Sequence, residues 1–188
     1  MKYVPRLLMV AVLGLAGCSS SGTGTEGAPA PQASVQGAVA GFGGTDLAWI
    51  EINIAMDEEL LPLLELTPKR TQDAATLAMA LQVKAFTEAE LSILRQLHTR
   101  AGLPAENPHK GMPMPGMVTP EDLAGAKQLV GEAFDTTVAK LIKAHLEQSQ
   151  SLARSEDKSG VEPQTRSLAL QILRTREVAL STIPSSAP

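Results

Sequence analysis

The chain is poor in cysteine, in aromatic residues and in clustered basic residues, and each shortage excludes a class of protein. Cys18 is the single cysteine among 188 residues, which leaves no disulfide framework and no multi-thiolate metal site within the chain. Only 3% of the residues are aromatic, so the core must consist of aliphatic residues and Met, a composition that favours helices over sheets. The formal net charge is −4 without a basic cluster, which argues against binding to nucleic acid or docking on anionic lipid.

The N-terminus has the pattern of a secretory leader. Lys2 and Arg6 precede an apolar run that ends at Gly17, and this run is too short to span a bilayer, which needs about 20 residues. The sequence Leu-Ala-Gly-Cys at residues 15–18 resembles the lipobox of bacterial lipoproteins, in which the cysteine thiol receives a diacylglycerol and becomes the new N-terminus. The alternative is an ordinary signal peptide with a chance cysteine. We expect removal of residues 1–17, lipidation of Cys18 and anchoring through this N-terminal lipid to the extracytoplasmic face of the cell membrane.

The remainder divides by composition into a linker, one domain and a short tail. Residues 18–44 are dominated by small residues, which predicts a flexible linker after the lipidated cysteine. Residues 45–183 are predicted to form a four-helix-bundle domain, and residues 184–188 a disordered tail. The first helix is expected to begin with Thr45 as its N-cap and to bend or end near Pro62.

The other helix boundaries follow from caps and breakers. A second helix is predicted from Thr71 or Asp73 to about Gly102. A proline-rich loop follows, after which Thr119-Pro120 predicts the start of a short extra helix in the central crossover. A long helix is expected from about Glu132 to Glu156, and Pro163 opens the last helix, which extends to about Thr182.

The two halves of the domain align without a gap at a shift of 89 residues. Identical pairs include Asp46 with Asp135, Thr76 with Thr165 and other residues on the same helix faces. Each half is then an αα-hairpin, and two such hairpins bury their apolar sides together as an all-α four-helix bundle. The same shift aligns Met56 with His145, which predicts that these two side chains approach each other in the interior.

The chain resembles the bacterial envelope proteins called domain of unknown function 305, which have a ferritin-like helical bundle. The resemblance rests on local patterns in a shared order: Met79-Ala80, Val83 and Glu90-Leu91, then Met114 to Thr119, Phe134-Asp135, Ala144 to Gln148, and Leu168-Ala169 with Ile172. It implies the same fold from Thr45 to about Ile183. Family members usually carry paired histidines on the first helix of each half, and some relatives are associated with copper through His and Met. Here Met56-Asp57 and His145-Leu146 stand in those places.

Two groups of residues are candidate metal ligands. The thioethers of the central loop, with one nearby imidazole, have the softness that suits Cu(I), and Met56 with His145 would form a residual core site. The candidates are His109, Met112, Met114, Met117, Met56 and His145. The alternative is that these methionines pack the loop onto the bundle, and that His145 is a hydrogen-bonded core histidine.

The sequence contains no catalytic constellation, phosphate loop or Glu-x-x-His motif. We therefore expect a non-enzymatic lipoprotein, with weak copper binding as the leading hypothesis and copper as the only implied cofactor. The alternative is a structural or interaction module of the cell envelope, with a degenerate metal site and a protein partner that the sequence does not identify. That alternative predicts an exposed apolar patch or groove on the bundle.

Overall fold

The computed structural model describes residues 41–183, which contain five α-helices and no β-strand. The predictions for the leader, Cys18, most of the linker and the tail lie outside the described residues. The helices are α1 (Gly44–Arg70), α2 (Ala74–Arg100), α3 (Pro120–Gln128), α4 (Gly131–Ser159) and α5 (Pro163–Thr182).

The four long helices form two antiparallel hairpins that pack against each other. Helix α1 packs chiefly on α2 and α4 chiefly on α5, and the hairpins meet mainly through α1 against α4. The short helix α3 lies in the crossover between the hairpins and contacts α1 and α4. The prediction of an all-α four-helix bundle with a short extra helix in the central crossover is confirmed.

Side-chain caps explain why three helices begin where they do. Asp73 accepts a hydrogen bond from the Thr76 N–H (2.6 Å), and Glu162 accepts one from the Thr165 N–H (2.6 Å). The Thr119 hydroxyl accepts from the Asp122 N–H at 3.1 Å. Each of these bonds satisfies a backbone donor that the first helical turn leaves without a partner.

The beginning of α1 differs from the sequence prediction. The N-cap is Gly43 rather than Thr45, and its N–H donates to the Asp46 carboxylate at 2.6 Å. Phe42, which we placed in the linker, is buried in the core with 5% of its surface exposed. The bundle therefore includes residues that precede the first helix.

Pro62 does not end the first helix, because α1 continues through it to Arg70. The other expected effect, a bend near Leu61, stays a prediction. Pro62 removes one backbone hydrogen bond, but it lies on the exposed face, where water can bind the carbonyl that loses its partner. On the opposite face, Leu63 and Leu64 are fully buried and hold the helix against the core. Tertiary packing therefore overrides the local preference.

The helix boundaries repeat at the shift of 89 residues. Helices α1 and α4 end at Arg70 and Ser159, and α2 and α5 begin at Ala74 and Pro163. The contacts between hairpins repeat as well. Asp46 of α1 accepts hydrogen bonds from backbone N–H groups of the α4–α5 turn, and Asp135 of α4 accepts one from a side chain of the α1–α2 turn. The duplication read from the sequence is thus visible in the fold.

The two largest apolar clusters of the interior lie one toward each end of the bundle. The first is built from the start of α1, the end of α2, the end of α4 and the start of α5, and includes Trp49, Leu94 and Ile172. The second is built from the opposite helix ends together with α3, and includes Leu63 and Phe134. Between them, at mid-height, the four long helices contribute polar side chains.

Candidate functional site

A layer of buried polar residues crosses the middle of the bundle. Its members come from α1, α2, α4 and α5, and each is at most 2% exposed: Asn53, Asp57, Thr87, Glu90, His145, Ser149 and Arg176. Polar groups at such depth cost free energy unless they find partners. The layer is therefore the part of the interior where chemistry other than packing is concentrated.

An ion pair between hairpins forms one side of the polar layer. The Arg176 guanidinium donates through Nη1 to Glu90 Oε1 (2.9 Å) and through Nη2 to Glu90 Oε2 (2.7 Å). Its Nε donates to the Ser149 hydroxyl at 3.1 Å, and the Phe86 ring lies 4.4 Å from the guanidinium carbon. This two-pronged geometry satisfies both partners of a buried pair.

Glu90 titrates far from its ordinary range. Burial is the largest cause and raises the pKa of Glu90. The attraction of Arg176 lowers it, and the charge of Asp57 raises it. The net result is a pKa of about 7. Asp57 of α1 and Glu90 of α2 are thus close enough for their charges to interact. The layer contains two neighbouring carboxyls and one arginine.

His145 lies on the other side of the layer with neither ring nitrogen hydrogen-bonded. Its Nε2 is 3.5 Å from Asp57 Oδ1, too far for a good hydrogen bond, and both nitrogens are buried without a partner. An unpaired buried imidazole calls for an explanation, such as a bound group or a water. The prediction of a core histidine satisfied by hydrogen bonds is not supported by this geometry.

Three of the predicted thioethers come together where the central loop meets α1. Met56, Met117 and Ala55 form a buried cluster, and the half-buried Met114 packs against it. The loop reaches the bundle at Gly116, where the backbone has φ +73° and an added Cβ would lie 2.5 Å from the Gln148 Cβ. The same Cβ would lie 2.7 Å from the carbonyl oxygen of Ala144, the residue before His145.

The two remaining loop candidates lie farther out. Met112 is 48% exposed and is not a member of the thioether cluster. His109 is half-buried, and its backbone N–H donates to Asn107 Oδ1 at 2.9 Å. Their role as ligands stays a prediction, as does the direct approach of Met56 to His145, since it is the neighbouring Asp57 whose contact with His145 is seen.

The acidic residues beside the buried helix faces lie near the surface, as the helical periodicity indicates. Glu58 and Glu147, the symmetric acidic pair, lie at the flanks, where Glu58 pairs with Arg95 at 2.9 Å and Glu147 with Lys143 at 3.8 Å. No group of three His, Cys, Asp or Glu side chains that could hold a metal ion occurs within residues 41–183. The candidate site instead depends on thioethers and one imidazole.

Sequence reasoning missed the pair of Glu90 and Arg176. A signal was present: Arg176 falls four residues after Ile172 and three before Ala179, on the buried stripe of α5. A charged residue at such a position predicts a buried partner. What the spacing cannot show is which of the other three helices supplies it.

The fold and its interior define the protein as a duplicated four-helix bundle with a buried polar layer and an adjacent methionine cluster. A family model described as "Domain of unknown function (DUF305)" matches residues 47–184. The chain therefore belongs to the DUF305 family. The comparison with curated proteins gives no match.

Two solved structures of the family have the same fold. A DUF305 fragment from Deinococcus radiodurans is 18% identical, with a TM-score of 0.67 over 76% of this chain and 95% of that one. A DUF305 protein from Streptomyces coelicolor, described as secreted, is 17% identical, with a TM-score of 0.64 over 74% of this chain and 89% of that one. At these identities the likeness concerns the fold.

Proposed function

We propose that the protein is a non-enzymatic lipoprotein of the cell envelope that binds Cu(I) weakly through Met56, Met114 and Met117, with His145 as a nitrogen donor. The observation that carries the proposal is the convergence of three thioethers from a loop and a helix in one cluster. Thioethers are soft donors that select Cu(I), and imidazole also suits copper.

The surroundings of His145 add support. Both of its ring nitrogens are buried without a hydrogen-bond partner, so one of them is available to a metal without breaking an existing bond. The loop that carries Met114 and Met117 rests on α4 at Ala144 and Gln148, which flank His145. A bound ion would join the loop to α4.

The location of the protein is proposed from the N-terminal sequence. The lipobox-like segment ending at Cys18 supports a lipid anchor outside the cytoplasm. Within residues 41–183, none of the helices has the length and hydrophobicity needed to cross a bilayer. The Streptomyces coelicolor relative is described as a secreted protein, which agrees with an extracytoplasmic site of action. The absence of a catalytic motif from the sequence supports a role in binding rather than catalysis.

A competition titration tests the copper proposal. The full chain is titrated with Cu(I) under reducing, oxygen-free conditions against a chromogenic chelator, and we expect one ion bound with micromolar or tighter affinity. Replacing Met114 and Met117 together by Leu, which keeps the apolar volume, should weaken binding by roughly tenfold or more, because direct donors are lost.

Met79→Leu is the matched control, because Met79 packs against the core on α2, outside the thioether cluster. It should leave the affinity unchanged. Met112→Leu shows whether the exposed thioether also contributes. Binding weaker than micromolar, or binding that the double variant leaves intact, would reject the copper proposal.

A specific observation favours the second candidate, an interaction module. An apolar groove of about 270 Å³ lies between α2 and α5, lined by Phe86 and Val178 among others. Val178 is 57% exposed. A photo-crosslinker at Val178, compared with one at the exposed Glu147 of α4, should trap a single protein in the native envelope. Equal yields at both positions would reject this role.

A further inference from the structure

Two buried carboxyl groups lie at the corner where α1 begins and α4 turns into α5. The Glu156 carboxyl lies against Gly160, and the N–H of the next residue, Val161, donates to Asp46. Asp46 of α1 and Glu156 of α4 are both fully buried. The Asp46 carboxylate accepts backbone hydrogen bonds from Gly43 (2.6 Å), Val161 (3.0 Å) and Glu162 (3.1 Å). These donors belong to the start of α1 and to the α4–α5 turn, so Asp46 joins the two segments.

Glu156 has no such donors. Both of its carboxyl oxygens are buried and neither receives a hydrogen bond from a protein N–H or hydroxyl group. Gly160 closes the space around it, because an added Cβ there would overlap the Glu156 carboxyl group. An ionised carboxylate in this position would be desolvated and unpaired, which is costly.

We propose that Asp46 and Glu156 hold one proton between them, with Glu156 as the neutral acid that donates it to the Asp46 carboxylate. The assignment follows from the donors: three N–H groups stabilise charge on Asp46, and none stabilises charge on Glu156. The shared proton is then a latch that fastens the start of α1 to the α4–α5 turn.

The electrostatics of the corner agree with this assignment. Burial raises the pKa of Glu156, the hydrogen bond and charge of Asp46 raise it further, and the value reaches about 8. Burial alone would raise the pKa of Asp46, but the hydrogen bond from Glu156 and the three backbone donors outweigh it and lower that pKa. The charged groups around Glu156 are Asp46 on α1, Arg100 on α2, Glu162 before α5, Arg166 on α5 and Asp157 on its own helix.

The duplicated corner provides an internal comparison. Asp135, the counterpart of Asp46, accepts a hydrogen bond from the Thr71 hydroxyl at 2.5 Å. The counterpart of Glu156 is Thr67, whose hydroxyl donates to the Leu63 carbonyl at 2.8 Å. That corner is closed without a second carboxyl, so the fold does not need one. The proton-holding pair is a property of one corner.

A divalent cation is the other occupant to consider for clustered carboxyls. The two other nearby acids are directed elsewhere. Glu162 accepts from the Thr165 N–H and hydroxyl and pairs with Arg100 at 3.0 Å, and Asp157 pairs with Arg166 at 3.6 Å. Only the carboxyls of Asp46 and Glu156 remain. Calcium and magnesium need more oxygen ligands than these two groups offer, whereas a shared proton needs only one oxygen from each.

The direction of the pH effect follows from the raised pKa. Glu156 binds its proton more tightly in the folded protein than at its ordinary value of 4.5. The stabilisation by the latch is therefore complete below that value and is lost as the pH rises through about 8. Alkaline conditions should loosen the start of α1.

The test compares the thermal unfolding of the full chain with that of Glu156→Gln, whose amide can donate to Asp46 at any pH. The melting temperature of this variant relative to wild type should rise by roughly 4 °C or more between about pH 5 and about pH 9. Glu147→Gln, on the exposed face of the same helix, should show no such change. Because the melting temperature of the variant is compared with that of wild type at each pH, the effects of other titrating groups, such as Glu90, cancel.

Two further measurements make the outcome decisive. Carbon-13 NMR of the wild-type carboxyls should show Glu156 titrating above neutral pH, and titration in the ordinary glutamate range would overturn the proposal. A difference in melting temperature between Glu156→Gln and wild type that does not change with pH would also overturn the proposal. If calcium chloride at about pH 8 stabilises wild type and not Glu156→Gln, the pair binds a cation and the shared proton is rejected.

Discussion

Glu90 of α2 and Arg176 of α5 face each other across the middle of the bundle and make two hydrogen bonds, at 2.9 and 2.7 Å. Both side chains are fully buried. The pair comes from different hairpins, and by the shift of 89 residues Arg176 is the counterpart of Thr87 rather than of an acid or a base. The duplicated halves have therefore diverged at the position where they interact.

Removal of one partner of this pair should be strongly destabilising. Arg176→Met leaves Glu90 buried without its donor, so the free energy of unfolding should fall by about 3–5 kcal/mol in denaturant titrations. Arg174→Met, on the exposed side of the same helix, should change it by less than about 0.5 kcal/mol.

The double variant Glu90→Leu with Arg176→Met separates the loss of the pair from the cost of an orphaned charge. It should recover most of the stability that the single variant loses. Equal losses in the Arg176 and Arg174 single variants would contradict a buried ion pair.

Gly116→Ala should detach the methionine loop from α4. The residue has φ +73°, and a Cβ would collide with Gln148 and the Ala144 carbonyl. Gly111 in the same loop has φ +74° with open space around it, so Gly111→Ala isolates the backbone strain, about 1–2 kcal/mol. Gly116→Ala should cost a further 1–3 kcal/mol or so from the overlap and should weaken Cu(I) binding. If Gly116→Ala and Gly111→Ala lowered the stability by the same amount and left the copper affinity the same, the loop would not rest on α4.

Gly160→Ala should open the corner at Glu156, because the added methyl group would occupy the space of its carboxyl. We expect a loss of about 1–3 kcal/mol in the free energy of unfolding. Gly125→Ala in α3 meets open space and should instead stabilise by about 0.5–1 kcal/mol through helix propensity. If both variants gained stability, the Glu156 carboxyl would not occupy the space next to Gly160.

Cys18→Ser should release the protein from the membrane fraction of a bacterial host, since a serine at the lipobox cannot carry the thioether-linked lipid. Immunoblots of membrane and aqueous fractions measure the distribution. If the variant remains in the membrane as the wild type does, anchoring depends on something other than Cys18.

Local sequence signals were sufficient for the number of helices and their order, and for most of the helix ends. The caps at Asp73 and Thr119 and the breaker at Gly160 lie where the structure has helix ends, because they act through hydrogen bonds and backbone preferences within one turn. The duplication supplied the hairpin architecture, since the turn inside each hairpin lies at the same place in both halves.

Long-range effects account for what sequence reasoning missed. Pro62 is tolerated because distant core residues hold both sides of α1. The partner of Arg176 and the proton on Glu156 depend on residues about 86 and 110 positions away in the chain, and helical periodicity indicates only that such side chains face inward. The methionines of the thioether cluster were named as candidates, but in two separate sites. That Met56 meets Met114 and Met117, apart from Met112, required the path of the loop.

The polar layer also restricts how the hairpins can dock. Sliding one hairpin along the other by a single turn, about 5.4 Å, would carry Arg176 away from Glu90 and into apolar surroundings. Leucine and isoleucine contacts alone would tolerate such a displacement far better. The central ion pair thus selects one axial register for two hairpins that descend from the same repeat and could otherwise interlock in several ways.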